Sequence, residues 1–206
     1  MSESSITASF KPISSNWRKA AVLGSVWAAF EILWGGFLHS LKIPFAGMIL
    51  ASGGVLLLAA GRRLWPEKGL AWRAALVCTL LKSISPSAVI LGPMVGILME
   101  GLLVEVAFRI MGGNRMGAAL AGALAVCWTL AQKILGLFLL YGLNLAVLYV
   151  EFCRYAARTL GLESLTGIDL LAAAFAIQSV VGVTAGLAGW RLGGESFAAG
   201  HRSFSA

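Results

Sequence analysis

Charge is the first thing this sequence is short of. Only 12% of its 206 residues are Asp, Glu, Lys or Arg, against roughly 25% in soluble domains. That is too little to clothe a globule in water. Histidine is scarcer still, with two residues, and there are three cysteines. Cys78, Cys127 and Cys153 show no CxxC spacing and fall in or near apolar segments, so they read as small packing residues rather than ligands or a disulfide. The phosphate loop GxxxxGKS/T is absent, which excludes ATP binding and hydrolysis of the usual kind. HExxH and GxSxG are missing as well. With one histidine near the membrane, a metalloenzyme or a Ser–His hydrolase is hard to assemble. The expectation is a protein that is not an enzyme and holds no metal or cofactor.

What is present is apolar. The chain is 59% hydrophobic with 25 glycines, and its mean hydropathy is +0.86. A helix needs about 20 apolar residues to cross the hydrocarbon core. Six candidate spans emerge, at 20–38, 45–60, 70–81, 87–108, 117–141 and 168–190. The expected fold is an all-α integral membrane protein, a compact bundle of six transmembrane helices whose third span is short or interrupted. A polar, Ser-rich tail over 1–16 precedes the membrane domain at 17–192, and a cytoplasmic tail follows over 193–206. No cleavable signal peptide is visible. Within the long connector 142–167, the amphipathic stretch 147–162 is expected on the membrane surface, with Glu151, Arg154 and Arg158 facing water.

The net charge of +7 sits at span ends, with no dense basic patch interleaved with aromatics, which argues against nucleic acid. With the N-terminus inside, the cytoplasmic segments hold Lys11, Arg18, Lys19, Arg62, Arg63, Lys68, Arg73, Arg109, Arg115, Arg191 and Arg202. The opposite side holds Lys42, Lys82, Arg154 and Arg158. This bias predicts an even number of spans, with both termini on the cytoplasmic side of a bacterial inner membrane.

The third span, 70–81, covers only about 18 Å of helix at 1.5 Å per residue, and it ends at Lys82-Ser83-Ile84-Ser85-Pro86. Short or interrupted spans are among the better sequence pointers to a binding site. Ionisable groups within spans are costly and need partners or water. Glu31 lies midway along the first span and Glu100 midway along the fourth. Lys133, Gln132 and Trp128 lie on the fifth, and Gln178 midway along the sixth. In a structural reading, Glu31 or Glu100 pairs with Lys133 and locks the bundle. In a functional reading, these groups line a polar cavity. Glu105 stands four residues before Arg109 at the interface, where an i,i+4 ion pair accounts for it.

Three short elements are expected to converge on the outer side: the first connection with His39 and Lys42, the third with Lys82, Ser83 and Ser85, and the start of the fifth near Tyr141. His39, Lys42, Lys82 and Lys133 would make that mouth cationic and suited to an anionic solute. Ala20, Gly24 and Ala28 form one small-residue face on the first span, and Ala21, Ser25 and Ala29 the adjoining one. Such faces let another helix approach closely, within the bundle or from a partner.

The short spans, the small face on the first helix and the segment Gly92-Pro93-Met94-Val95-Gly96 together resemble the S component of an energy-coupling factor (ECF) transporter. The similarity covers roughly 17–190. It implies a subunit that captures a vitamin-like micronutrient at an outward-facing site and docks on a transmembrane coupling subunit and two cytoplasmic ATPases. By position, Ala20, Gly24 and Ala28 would serve docking, residues 39–44 the lid, and Lys82, Ser83 and Ser85 the site. The mid-membrane charges Glu31, Glu100 and Lys133 depart from the family pattern and leave the substrate open. A competing reading is a structural or assembly subunit of a larger membrane complex, held by a dry Glu/Lys network. A small membrane enzyme would need a nucleophile or metal ligands near Glu100, and the sequence offers few.

Overall fold

The computed structural model describes residues 14–41, 45–84, 91–142 and 167–203. Six helices make up this part: α1 (Ser15–Ser40), α2 (Ala46–Leu64), α3 (Leu70–Ser83), α4 (Leu91–Met111), α5 (Arg115–Tyr141) and α6 (Gly167–Ser203). Each coincides with a predicted span. Four of them, α1, α2, α5 and α6, are long and apolar enough to cross a membrane, and they point to a membrane protein. By that measure four of the six expected spans are matched among the described residues. The 14 residues of α3 are too few, and the 21 of α4 include Glu100, Glu105 and Arg109. The amphipathic stretch 147–162 lies outside the described residues. Helix α6 runs to Ser203, beyond the expected end of the sixth span at 190. Gly193 packs so closely on α2 that a Cβ there would meet the Ala60 carbonyl at 2.6 Å.

The apolar surface is turned outward as well as inward. On α1, Val22, Val26, Leu33 and Phe37 form an exposed stripe, with Leu33 72% accessible, while Ala20, Leu23, Trp27 and Ala28 are buried. Four- and seven-residue steps keep the stripe on one helical face. An exposed apolar stripe of this size suits lipid, where the hydrophobic effect does not drive helices together.

Successive helices alternate in direction, as the contacts show. Leu23 and Phe30 of α1 lie against Gly61 and Gly53 of α2, and Phe108 and Gln132 connect α4 and α5 at opposite ends. Helix α2 occupies the centre and touches all five others, which wrap it in the order α1, α3, α4, α5, α6. Small residues make this wrap tight. Gly53 and Gly54 seat the rings of Phe30 and Trp27. Between α5 and α6 the backbones themselves meet: a methyl group on Gly122 would run into the Gly182 carbonyl, and one on Gly186 into that of Ala118.

The turns use ordinary punctuation. Gly112, at φ 78°, ends α4 in the left-handed conformation that glycine adopts without penalty. Two residues on, the Asn114 side chain accepts from the Gly117 N–H at 2.8 Å and caps α5, worth about 1 kcal/mol. The end of the bundle where α1, α3 and α5 begin is called basal below, and the opposite end distal.

Candidate functional site: ionisable groups inside the bundle

The interior ionisable groups fall into three layers. In the distal layer, Glu31 of α1 and Lys82 of α3 are 4% and 9% exposed. Lys82 Nζ donates to the Glu31 backbone carbonyl at 2.8 Å and lies 3.4 Å from its carboxylate Oε2. Gly35, one turn further along α1, leaves the space the ammonium needs, since a Cβ there would stand 3.2 Å from Nζ. The partner expected from the sequence, Lys133, is elsewhere. It is exposed, its chain lies beside Gly47 of α2, and it has no ion-pair partner among the described residues. The lock is therefore Glu31–Lys82. Helices α1 and α3 run parallel in contact, with Gly24 packed on Ala74 and Val77, and this register carries Lys82 to Glu31.

Gln132 lies in the same layer, where its Nε2 donates to the Gly92 carbonyl at 2.6 Å and ties α5 to the first turn of α4. Gly96 gives this side chain room, because a Cβ there would stand 3.0 Å from Oε1. The Gly-Pro-x-x-Gly run thus serves an α4–α5 contact. Ser83 is exposed and returns its hydroxyl to the Leu80 carbonyl at 2.7 Å. His39 falls in the last turn of α1; its side chain, Lys42 and Ser85 lie outside the described residues.

The middle layer centres on Glu100, 6% exposed. Gly101 beside it packs on Ala71 and Ala75 of α3, so Glu100 lies about 10 Å basal of Lys82 at 1.5 Å per residue. Among the described residues, Glu100 Oε2 is buried without a hydrogen-bond partner, as are Trp128 Nε1, Trp27 Nε1 and Thr79 Oγ1. Next to Trp128, Thr129 donates to Gln178 Oε1 at 3.0 Å, linking α5 to α6. Buried polar atoms are nearly always satisfied, so each of these orphans calls for an explanation. Sequence reading singled out Glu100, Trp128 and Gln178. It missed Thr79 and Thr129, whose hydroxyls look unremarkable in apolar segments.

The basal layer is structural. Glu105 accepts from the Gly69 N–H at 2.5 Å, the Ala71 N–H at 3.3 Å and Arg109 Nε at 3.2 Å. The i,i+4 pair is present as expected, and the same carboxylate caps the N-terminus of α3, where a negative charge is favoured. Lys19 pairs with Glu67 across the same end.

Of the expected docking face, Ala20, Gly24 and Ala28 are all buried, and Gly24 is held against α3 so closely that a Cβ would stand 2.5 Å from the Ala74 carbonyl. A small residue at position 24 is what this approach of α3 needs. Ser25 and Ala29 of the adjoining face remain exposed.

These features define a helical bundle of membrane type with ionisable groups stacked in its interior. No family model matches the chain, and no curated protein or solved structure is significantly similar to it.

Proposed function

We propose that the chain is the solute-capturing subunit of a membrane uptake transporter, a six-span bundle with both termini in the cytoplasm that relies on partner ATPases for energy. The observation that carries this reading is the buried oxygen of Glu100, unpartnered among the described residues. An ionisable group inside a membrane bundle marks a functional site by default, and an unsatisfied carboxylate oxygen is what a polar solute would complete. Lys82 is committed to Glu31, so the solute site centres on Glu100 rather than on the expected cationic mouth. The lack of a phosphate loop is consistent with energy supplied by other chains. The ECF S-component resemblance names the kind of partner: a transmembrane coupling subunit and its ATPases.

Native mass spectrometry of the purified protein tests the reading. A small molecule should co-purify with the wild type and be lost from Glu100→Gln. Retention of the same molecule by that variant would place the site elsewhere. Labelling of a cysteine at position 196 from outside intact cells would overturn the topology.

A second reading has its own observation. The closed Glu31–Lys82 pair suits a structural subunit of a larger complex, held by a dry ion pair. Absence of any bound solute, together with co-purification of a stoichiometric membrane partner, would favour it.

A further inference from the structure

A cavity of about 560 Å³ opens at the basal end, lined by Arg62, Lys68, Phe108, Arg109, Gly112 and Gly113. Its charged lining is all cationic. Two carboxylates belong to this end: Glu105 accepts from two backbone amides and from Arg109, and Glu67 pairs with Lys19 through one oxygen while its Oε2 is buried with no hydrogen-bond partner among the described residues. Neither lines the cavity.

Arg62 is the distinctive member. It is only 9% exposed, and its guanidinium lies 5.8 Å from the centre of the Phe108 ring. One terminal nitrogen donates to the Glu67 carbonyl, but Nε is buried with no partner among the described residues. A guanidinium carries five donors in a fixed planar fork suited to carboxylate and phosphate oxygens. Burying part of that fork unsatisfied is costly unless an anion completes it. A helix-end arginine that only marked topology would extend into water instead.

We propose that this pocket binds a phosphate group, held by Arg62 with Lys68 and Arg109 around it, and that an anionic phospholipid headgroup supplies it. Basic pockets between membrane helices at their polar ends are suited to such headgroups. Two features favour a lipid over free phosphate. The volume exceeds that of a phosphate alone, leaving room for a glycerol. The last turn of α4 also exposes Ile110 and Met111, 67% and 41% accessible, beside the cavity, where acyl chains can lie. The inference rests on the bundle being membrane-embedded, and it is independent of any solute site at Glu100.

The test compares purified wild type with Arg62→Gln and Gly113→Glu. Gly113 has open space around it, with nothing within 4 Å of an added Cβ, so glutamate there puts a negative charge at the mouth without a clash. Binding is read by native mass spectrometry and by thermal stability in detergent with added phosphatidylglycerol, phosphatidylcholine or inorganic phosphate. Phosphatidylglycerol should bind and stabilise the wild type, phosphatidylcholine should not, and each variant should lose about tenfold in affinity, Arg62→Gln by losing a charge-assisted hydrogen bond and Gly113→Glu by like-charge repulsion of the headgroup. Gly113→Glu should unfold at the wild-type temperature when lipid is absent, which keeps the test sound if Arg62→Gln fails to fold. Equal protection by inorganic phosphate would keep the phosphate site and overturn the lipid source. Phosphatidylglycerol binding equally to wild type and Gly113→Glu, or to neither, would overturn the proposal.

Discussion

The two ends of this bundle handle charge in opposite ways. At the distal end Glu31 and Lys82 are almost inaccessible and satisfy each other directly. At the basal end Arg62 is as buried as Lys82, yet one of its donors has no partner and it borders an open cavity. A buried ion that is matched in place locks helices together. A buried ion left partly unmatched needs something from outside the chain. Burial alone therefore does not distinguish a structural charge from a binding one; the tally of its hydrogen bonds does.

The comparison can be broken most sharply at the distal end. Lys82→Ala strands Glu31 in the interior and should destabilise the protein by about 3–5 kcal/mol, read as a lower thermal midpoint in detergent. The double variant Glu31→Gln, Lys82→Met should recover most of the loss. Failure to recover would mean that the pair is not the closed lock described above. Smaller and basal, Glu105→Ala removes the cap of α3 along with the Arg109 pair. It should lower stability by about 1–3 kcal/mol, and amide exchange at Gly69 and Ala71 should accelerate. A similar loss of about 1–3 kcal/mol is expected for Gly122→Leu, which overpacks the backbone contact of α5 with α6. Its distinguishing readout is an α5–α6 disulfide between engineered cysteines, which should form in the wild-type background and fail in the variant. The smallest effect belongs to Lys19→Ala at the basal rim, whose half-exposed pair with Glu67 should contribute about 1 kcal/mol or less and fade with added salt. A loss as large as that of Lys82→Ala would erase the contrast between the two ends.

Helix positions were legible because crossing length and apolar composition are local properties. The starts of α3 and α5 fall within two residues of expectation, since Gly69 and Asn114 occupy their N-cap positions. Helix α6 continues past the expected end of the sixth span at 190. Arg191 and the Gly193-Gly194 pair look like a helix terminus, but close packing on Ala60 and Arg63 of α2 holds the chain helical beyond them. Pairing was the least legible feature. Lys82, Lys133 and Glu31 all read as interior or interfacial charges. Choosing between the two lysines requires knowing that α1 lies against α3 and that Lys133 faces out of the bundle. The small face Ala20, Gly24 and Ala28 reads as a contact surface, and its Gly24 packs on α3 of the same chain. Spacing reports that something approaches closely and is silent on what.

Composition and periodicity by themselves determined that this is a helical protein with apolar outer faces, where its helices lie, and that Glu31, Glu100 and Glu105 lie within them. Those conclusions depend on transfer energies and backbone satisfaction, which act residue by residue along a helix. Only the tertiary structure decided that Glu105 caps α3, that Lys82 belongs to Glu31, that Glu100 keeps an unpartnered oxygen and that Arg62 borders a cavity. A hydrogen bond depends on atoms within about 3 Å, and which atoms come that close is set by how helices distant in sequence rotate and slide against one another.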